Sequence, residues 1–361
     1  MRIAPLTGLR GIAAVAVMLY HIPHSPAFGA FAMPLFSRAY LCVDLFFILS
    51  GFVISIGYHE RVVKHLGASS YGDFLLNRMA RVWPLHFVVG LVFLARILLN
   101  VSGEQSVALT PANLFTNLLM IESWGWGTQA LAGNAWSVST ELVAYLLYPL
   151  VAILAFSRLA WAEGLLAVVL LLLVAMLGHG SSGPLDVNDG NSILPVLRCL
   201  AGFSLGVIAY RVVRHPRCEQ LLGGERGFIA ACALLVVAFL VPRADVLVAL
   251  AFVPLVIACY YDSRASRALL ANPLVFHLGL ISYSIYLWHP LVRDIAARSM
   301  GIAHRHGLTG FDWTFVVATL LATWLLCWAS YRLVEVPGHR MIKRLERRGM
   351  RPRMPLQQAA E

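Results

Sequence analysis

Charge is scarce in this chain of 361 residues: only 13% are Asp, Glu, Lys or Arg, against 59% hydrophobic. With a mean hydropathy of +0.75, that scarcity excludes an ordinary soluble domain. Cysteine is also sparse, and Cys42, Cys199, Cys218, Cys232, Cys259 and Cys327 show no CxxC spacing, which excludes a thiol metal site or a disulfide framework. No internal repeat, low-complexity tract or sign of a second soluble domain interrupts the apolar pattern. The net charge of +10 would suggest a nucleic-acid partner for a soluble protein. Here the placement of the charges matters more than their sum, and no nucleic acid is expected.

What is present is a series of apolar runs long enough to cross about 30 Å of hydrocarbon. Ten are found, near residues 6–24, 38–58, 83–100, 138–157, 162–178, 191–213, 227–241, 245–261, 274–299 and 311–334. With the N-terminus in the cytoplasm, 21 of the 28 Lys and Arg residues fall on the inner side and five on the outer side. That asymmetry supports ten spans with both termini inside. The expected fold is all-α, a polytopic bundle, with residues 1–340 as one transmembrane domain. Residues 341–361 are expected to be a cytoplasmic tail, partly disordered. The first run reads as a span rather than a cleaved signal peptide, because nine more follow it. Residues 71–84 read as an amphipathic helix on the cytoplasmic surface. The outer loop 101–137 has no Lys or Arg, but holds Glu104, Glu122, Trp124, Trp126, Gln129, Asn134 and Trp136.

The first run begins with one cation and ends with one imidazole. Arg10 and His21 are eleven residues apart, roughly 16 Å along a helix. An ionisable residue so deep in a span is a functional candidate. Counted from the span ends, His21, Asp44, Glu141, Arg198 and His289 all fall in the outer half of the membrane, on five helices. A shared polar cavity is cheaper than burying them separately. Each also has a plainer role. His289, before Pro290, suits an interface; Asp44 suits neutralisation of Arg198; Glu141 suits a helix start. Arg78 and Arg81, spaced i and i+3, can bracket an anion, although lipid headgroups are commoner ligands for such a pair.

Several stretches bear a likeness to one family. Arg10 to His21 fits an Arg-x10-His signature, and Arg78-Met79-Ala80-Arg81 fits an Arg-x-x-Arg. Cys42-Val43-Asp44-Leu45-Phe46-Phe47-Ile48-Leu49-Ser50-Gly51-Phe52, Trp136-Ser137-Val138-Ser139-Thr140-Glu141, Ile281-Ser282-Tyr283-Ser284-Ile285-Tyr286-Leu287-Trp288-His289 and Tyr331-Arg332-Leu333-Val334-Glu335 follow in order. Together they resemble the membrane acyltransferase-3 family, whose members move acyl groups, most often acetyl, from coenzyme A to sugars and other hydroxyl acceptors. One departure is Leu142, where the family often has a second acid after the first.

The resemblance implies an acyl-CoA-dependent O-acyltransferase, multi-pass in a bacterial-type inner membrane. Its expected partners are acyl-CoA, acetyl-CoA first, a carbohydrate or other hydroxyl acceptor and membrane lipids, with no metal. Arg10, Arg78 and Arg81 would bind the donor. His21 would be general base, Glu141 would orient it, and Asp44 completes the candidate catalytic set. Arg198, Tyr286 and His289 are candidates for the oxyanion or the polar cavity. Trp124, Trp126 and Trp136 would stack on a sugar acceptor, or form an interfacial belt. Direct transfer and an acyl-histidine intermediate both remain open. The rival class is a secondary transporter or flippase of a polar or lipid-linked substrate, which ten spans and a buried polar cluster suit equally.

Overall fold

In hydrocarbon a backbone amide finds no partner except within its own helix or a closed barrel. The computed structural model is accordingly helical, with no strand among the residues it describes, 3–21, 37–63, 67–101, 107–188, 190–307 and 312–349. In chain order the helices are α1 Ala4–His21, α2 Cys42–Val63, α3 Ala68–Leu98, α4 Pro111–Leu119, α5 Trp136–Ala155, α6 Ala160–Leu177 and α7 Leu194–Val212. Then come α8 Pro216–Leu222, α9 Glu225–Leu240, α10 Asp245–Tyr260, α11 Arg264–Leu270, α12 Pro273–Leu280, α13 Ser282–Arg305 and α14 Asp312–Ser330. A π-helical turn, Tyr331–Glu335, joins α14 to α15, Val336–Gly349. Glu104 and residues 350–361 lie outside the described residues.

Among the described residues six helices are long and apolar enough to cross a membrane, or up to nine when three bent pairs count as one span each, against the ten expected; α1 is not among them. The ninth expected run is such a pair: α12 and α13 meet at 73°. Residues 71–84 do not form a separate surface helix. They belong to the 31-residue α3, which continues through Pro84. Apolar residues resume directly after the proline, so the helix loses one backbone bond there without losing its buried face. Helix α15 crosses residue 340 and continues to Gly349.

The centre of the bundle is α2 against α7. A Cβ on Gly51 would lie 2.1 Å from the Phe203 carbonyl oxygen, and one on Gly206 would lie 2.0 Å from that of Ile48. Only glycine admits such an approach. The organising helix α1 seats in the bend by the same means: a Cβ on Gly279 would meet the Thr7 carbonyl oxygen at 2.0 Å. This contact fixes α1 against both α12 and α13, and so fixes Arg10 and His21 relative to the late motifs.

The outer loop is ordered by two asparagines. Helix α4 starts at Thr110, whose hydroxyl accepts from the Asn113 amide. Asn117 donates from Nδ2 to the Gln129 carbonyl (2.8 Å) and accepts at Oδ1 from the Leu131 amide (2.8 Å). Asn113 Oδ1 accepts from the Gln129 amide. These bonds fold residues 120–135 back into the bundle, where Leu131, Ala132 and Ala135 are buried. Helix α5 therefore starts inside the protein, with Trp136 to Thr140 buried.

Candidate active site

Three arginines from two helices line one cavity of about 110 Å³: Arg10 from α1, and Arg78 and Arg81 from α3. Spacing i and i+3 puts the α3 pair on one face. Two acids hold the three cations. Glu141 of α5 lies against the Ser50 and Tyr145 hydroxyls, with Arg10 and Arg78 as neighbouring cations. Glu335 is buried in the π turn; it accepts from Arg81 at 3.3 Å and from the Ser284 hydroxyl. The Arg78 guanidinium sits over the Tyr58 ring, 5.2 Å from its centroid, and its buried Nε has no hydrogen-bond partner. With three cations against two acids, the cavity keeps a net positive charge and an unsatisfied donor. Such a site attracts an anion.

Beside this cavity, towards the His21 end of α1 that the charge asymmetry expects to be the outer one, lies a closed ion pair. Arg198 donates bidentately to Asp44, Nε to Oδ1 at 2.9 Å and Nη2 to Oδ2 at 2.6 Å. Both side chains are buried, and the guanidinium lies over the Trp136 ring at 5.6 Å. Both Asp44 oxygens are occupied by its partner, so of the two roles open to it the geometry matches neutralisation of Arg198. Trp136 faces Arg198 and Phe47 within the core. It is therefore withdrawn from any acceptor surface, again because α5 starts inside the protein.

At the outer end of α1, His21 Nδ1 lies 2.8 Å from the Val17 carbonyl oxygen. A carbonyl only accepts, so Nδ1 carries the proton and a neutral ring keeps its lone pair on Nε2. His289 stacks close by, ring centroids 4.9 Å apart. It is buried, and neither of its nitrogens has a side-chain partner among the described residues. Tyr286 connects the two levels. It lines the arginine cavity, its hydroxyl lies 2.7 Å from that of Ser137, and its ring centroid is 5.9 Å from that of His289.

The five ionisable residues expected at one depth are thus divided. His21 and His289 come together, Asp44 and Arg198 pair, and Glu141 joins Arg10 at the other end of α1. Glu141 is not placed to orient His21. The depth count took the start of α5 for a membrane boundary, whereas the folded loop buries that start inside the protein. Trp124 donates its indole N–H to the Ser139 carbonyl at 3.0 Å, while Trp126 is 62% exposed. Next to them Glu122 is buried in the loop, and burial pushes its carboxyl up to about 8, only partly offset by its own amide and the Ser139 hydroxyl.

Glu335 is the site residue that the motifs carried without singling it out. An acid at the inner end of a span is ordinary, but Glu335 is the only acid between residues 313 and 345. The π turn rotates it inward, and such turns often mark functional positions. Among the described residues, no three His, Cys, Asp or Glu side chains converge on a position for a metal ion.

Comparison with known proteins gives a consistent picture. A family model described as an acyltransferase domain matches residues 3–332. The chain is 27% identical to acyltransferase MdmB of Streptomyces mycarofaciens, over 95% of its own length and 93% of that relative's. It is 24% identical to the peptidoglycan O-acetyltransferase OatA of Listeria monocytogenes, over 92% of its own length and 55% of that relative's. The chain therefore spans about half of the second relative. No solved structure matches.

Proposed function

The chain belongs to the membrane acyltransferase-3 family, and from that premise we propose that it moves an acyl group, acetyl first, from cytoplasmic acyl-CoA to a hydroxyl of a carbohydrate or glycan acceptor at the membrane. The observation that carries this reading is the two-ended α1, with an arginine cavity at Arg10 and a histidine pair at His21, roughly 16 Å apart by helical rise. A thin, largely uncharged thioester arm with a phosphorylated head matches that separation of functions. The naming of OatA for peptidoglycan O-acetylation supports a glycan acceptor.

In this reading Arg10, Arg78 and Arg81 hold the donor phosphates, and Glu141 and Glu335 act as positioning residues that keep the guanidinium groups fixed. The arm passes Tyr286 and brings the thioester carbonyl to His21. His21 Nε2 takes the proton of the acceptor hydroxyl, and the oxygen forms a bond to the thioester carbon. The C–S bond then breaks, and the thiolate leaves with the proton returned from the imidazolium. The Tyr286 hydroxyl is placed to donate to the tetrahedral oxyanion. Both termini lie in the cytoplasm and His21 faces outward in this reading, which the charge asymmetry supports.

The test is thiol release from acetyl-CoA by the purified protein in lipid nanodiscs, with and without a glycan acceptor. Acceptor-dependent release that disappears in His21→Ala supports the reading. Release by His21→Ala at the wild-type rate overturns the assignment of the base.

A further inference from the structure

Helix α13 runs through a proline, Pro290, one turn beyond Tyr286. In a regular helix the Tyr286 carbonyl accepts from the amide four residues on, and a proline there has no N–H to give. A donor comes from outside the helix instead: Asn134, at the end of the folded outer loop, gives Nδ2 to the Tyr286 carbonyl oxygen. An amide oxygen facing that carbonyl would be repelled, so the side chain has one orientation, and its buried Oδ1 is left without a partner among the described residues. Three residues later, Ser137 holds the other end of the same tyrosine. Its hydroxyl lies 2.7 Å from the Tyr286 phenol oxygen and 3.4 Å from the Asn134 carbonyl oxygen. The contacts close a ring, from the Asn134 side chain to the Tyr286 backbone, and from the Asn134 backbone through Ser137 to the Tyr286 phenol. All three residues are buried, and Ser137 and Tyr286 line the arginine cavity.

We propose that Asn134 and Ser137 are positioning residues for acyl transfer, which together hold the Tyr286 phenol where the tetrahedral oxyanion forms. This rests on the acyl-transfer reading above. The Ser137 hydroxyl has one proton and two acceptors within reach, the Asn134 carbonyl and the phenol oxygen. Turned to the phenol oxygen, it frees the phenol proton to donate to the oxyanion, with no covalent bond made or broken in that turn. The outer loop thereby becomes part of the reaction centre. Asn117 folds the loop inward, and the loop delivers Asn134 to α13. A purely structural role, in which Asn134 does no more than satisfy the carbonyl that Pro290 frees, predicts lost stability with no change in rate per folded molecule.

The experiment measures, for the full-length protein in nanodiscs, the acetyl-CoA Kd and single-turnover thiol release at saturating acetyl-CoA with a chito-oligosaccharide as acceptor. A second arm records the fluorine resonance of a fluorotyrosine placed at position 286. Y286F should slow transfer by about 10²-fold, the loss expected for one oxyanion donor. N134L should slow it by about tenfold and S137A by less, as expected for neutral hydrogen bonds. Donor Kd should stay unchanged, and neither variant should slow transfer further when combined with Y286F. P290A restores the missing N–H, so N134L/P290A should recover most of the loss relative to P290A alone and sharpen the resonance that N134L broadens. An equal slowing by N134L with and without Y286F overturns the inference, as does lost stability in N134L with wild-type transfer per folded molecule. If N134L does not fold, S137A carries the test, because it leaves the Tyr286 carbonyl bonded: wild-type transfer and an unmoved resonance in S137A overturn the inference. Wild-type protein that neither binds acetyl-CoA nor releases thiol overturns the acyl-transfer reading itself, whereas a resonance unmoved by both variants overturns the grip on Tyr286 alone.

Discussion

The two ends of α1 are built in opposite ways. At the inner end, Arg81 is tied to Glu335, and Arg10 and Arg78 have Glu141 as their counter-charge. At the outer end, His289 is buried with no side-chain partner for either nitrogen among the described residues, and the bond of His21 Nδ1 to the Val17 carbonyl leaves the lone pair on Nε2. The inner end is preorganised, as a site that holds a ligand must be. The outer end instead sets two imidazoles against each other and leaves a lone pair on His21 Nε2, as a general base requires. Under the proposed function affinity belongs to one end and turnover to the other, and substitutions at each end should separate the two quantities.

The largest effect is expected at the outer end. His21→Ala should lower kcat by about 10³-fold, within the range for loss of a positioned general base, and leave the donor Kd unchanged. The ion pair between the two ends should behave differently from both. Arg198→Met leaves Asp44 buried and unpaired, and should cost about 3–5 kcal/mol of stability, whereas adding Asp44→Leu should recover most of it. Thermal unfolding of the single and double variants measures this; equal losses in both would show that the pair does more than neutralise itself.

At the inner end, Arg78→Ala with Arg81→Ala should weaken donor binding by about 10²-fold, as expected for two charge-assisted contacts, with a much smaller change in kcat at saturating donor. Glu335→Gln should reproduce part of this loss, roughly tenfold in donor KM, because it releases Arg81 without removing it. A fall in kcat at constant KM in either variant would break the division between the ends.

The smallest effect on transfer belongs to Glu122, which lies in neither region. Its carboxyl, raised from the ordinary glutamate value to about 8, holds its proton in the folded protein after the unfolded chain has lost it. The folded state then binds more protons, so stability should fall as pH rises from about 4.5 to about 8 and level off above. Glu122→Gln should flatten that slope in a pH series of melting temperatures and leave transfer nearly unchanged.

The sequence made the helices legible, because apolar runs of span length leave little choice of structure. It also identified both ends of α1, since Arg10, His21, Arg78 and Arg81 are charged or titratable groups in apolar or amphipathic runs. Depth was not legible where it was counted from the wrong origin. Residue 136 looks like a membrane boundary, but Asn113 and Asn117 fold the loop inward and carry Glu141 down to Arg10. The bend at Ile281 was hidden in a continuous apolar run; it forms where Gly279 lets α1 approach. Glu335 was hidden by phase, for in a regular helix nothing announces that an extra residue in one turn will point an acid inward.

The most direct test of the division between the ends is to measure, in one nanodisc preparation, the acetyl-CoA Kd and the single-turnover transfer rate of His21→Ala beside those of Arg78→Ala/Arg81→Ala. The account predicts that the histidine variant binds donor as wild type does and transfers nothing, while the arginine variant binds weakly and transfers normally once saturated. Weak binding by His21→Ala, or a saturated arginine variant as slow as His21→Ala, would contradict it.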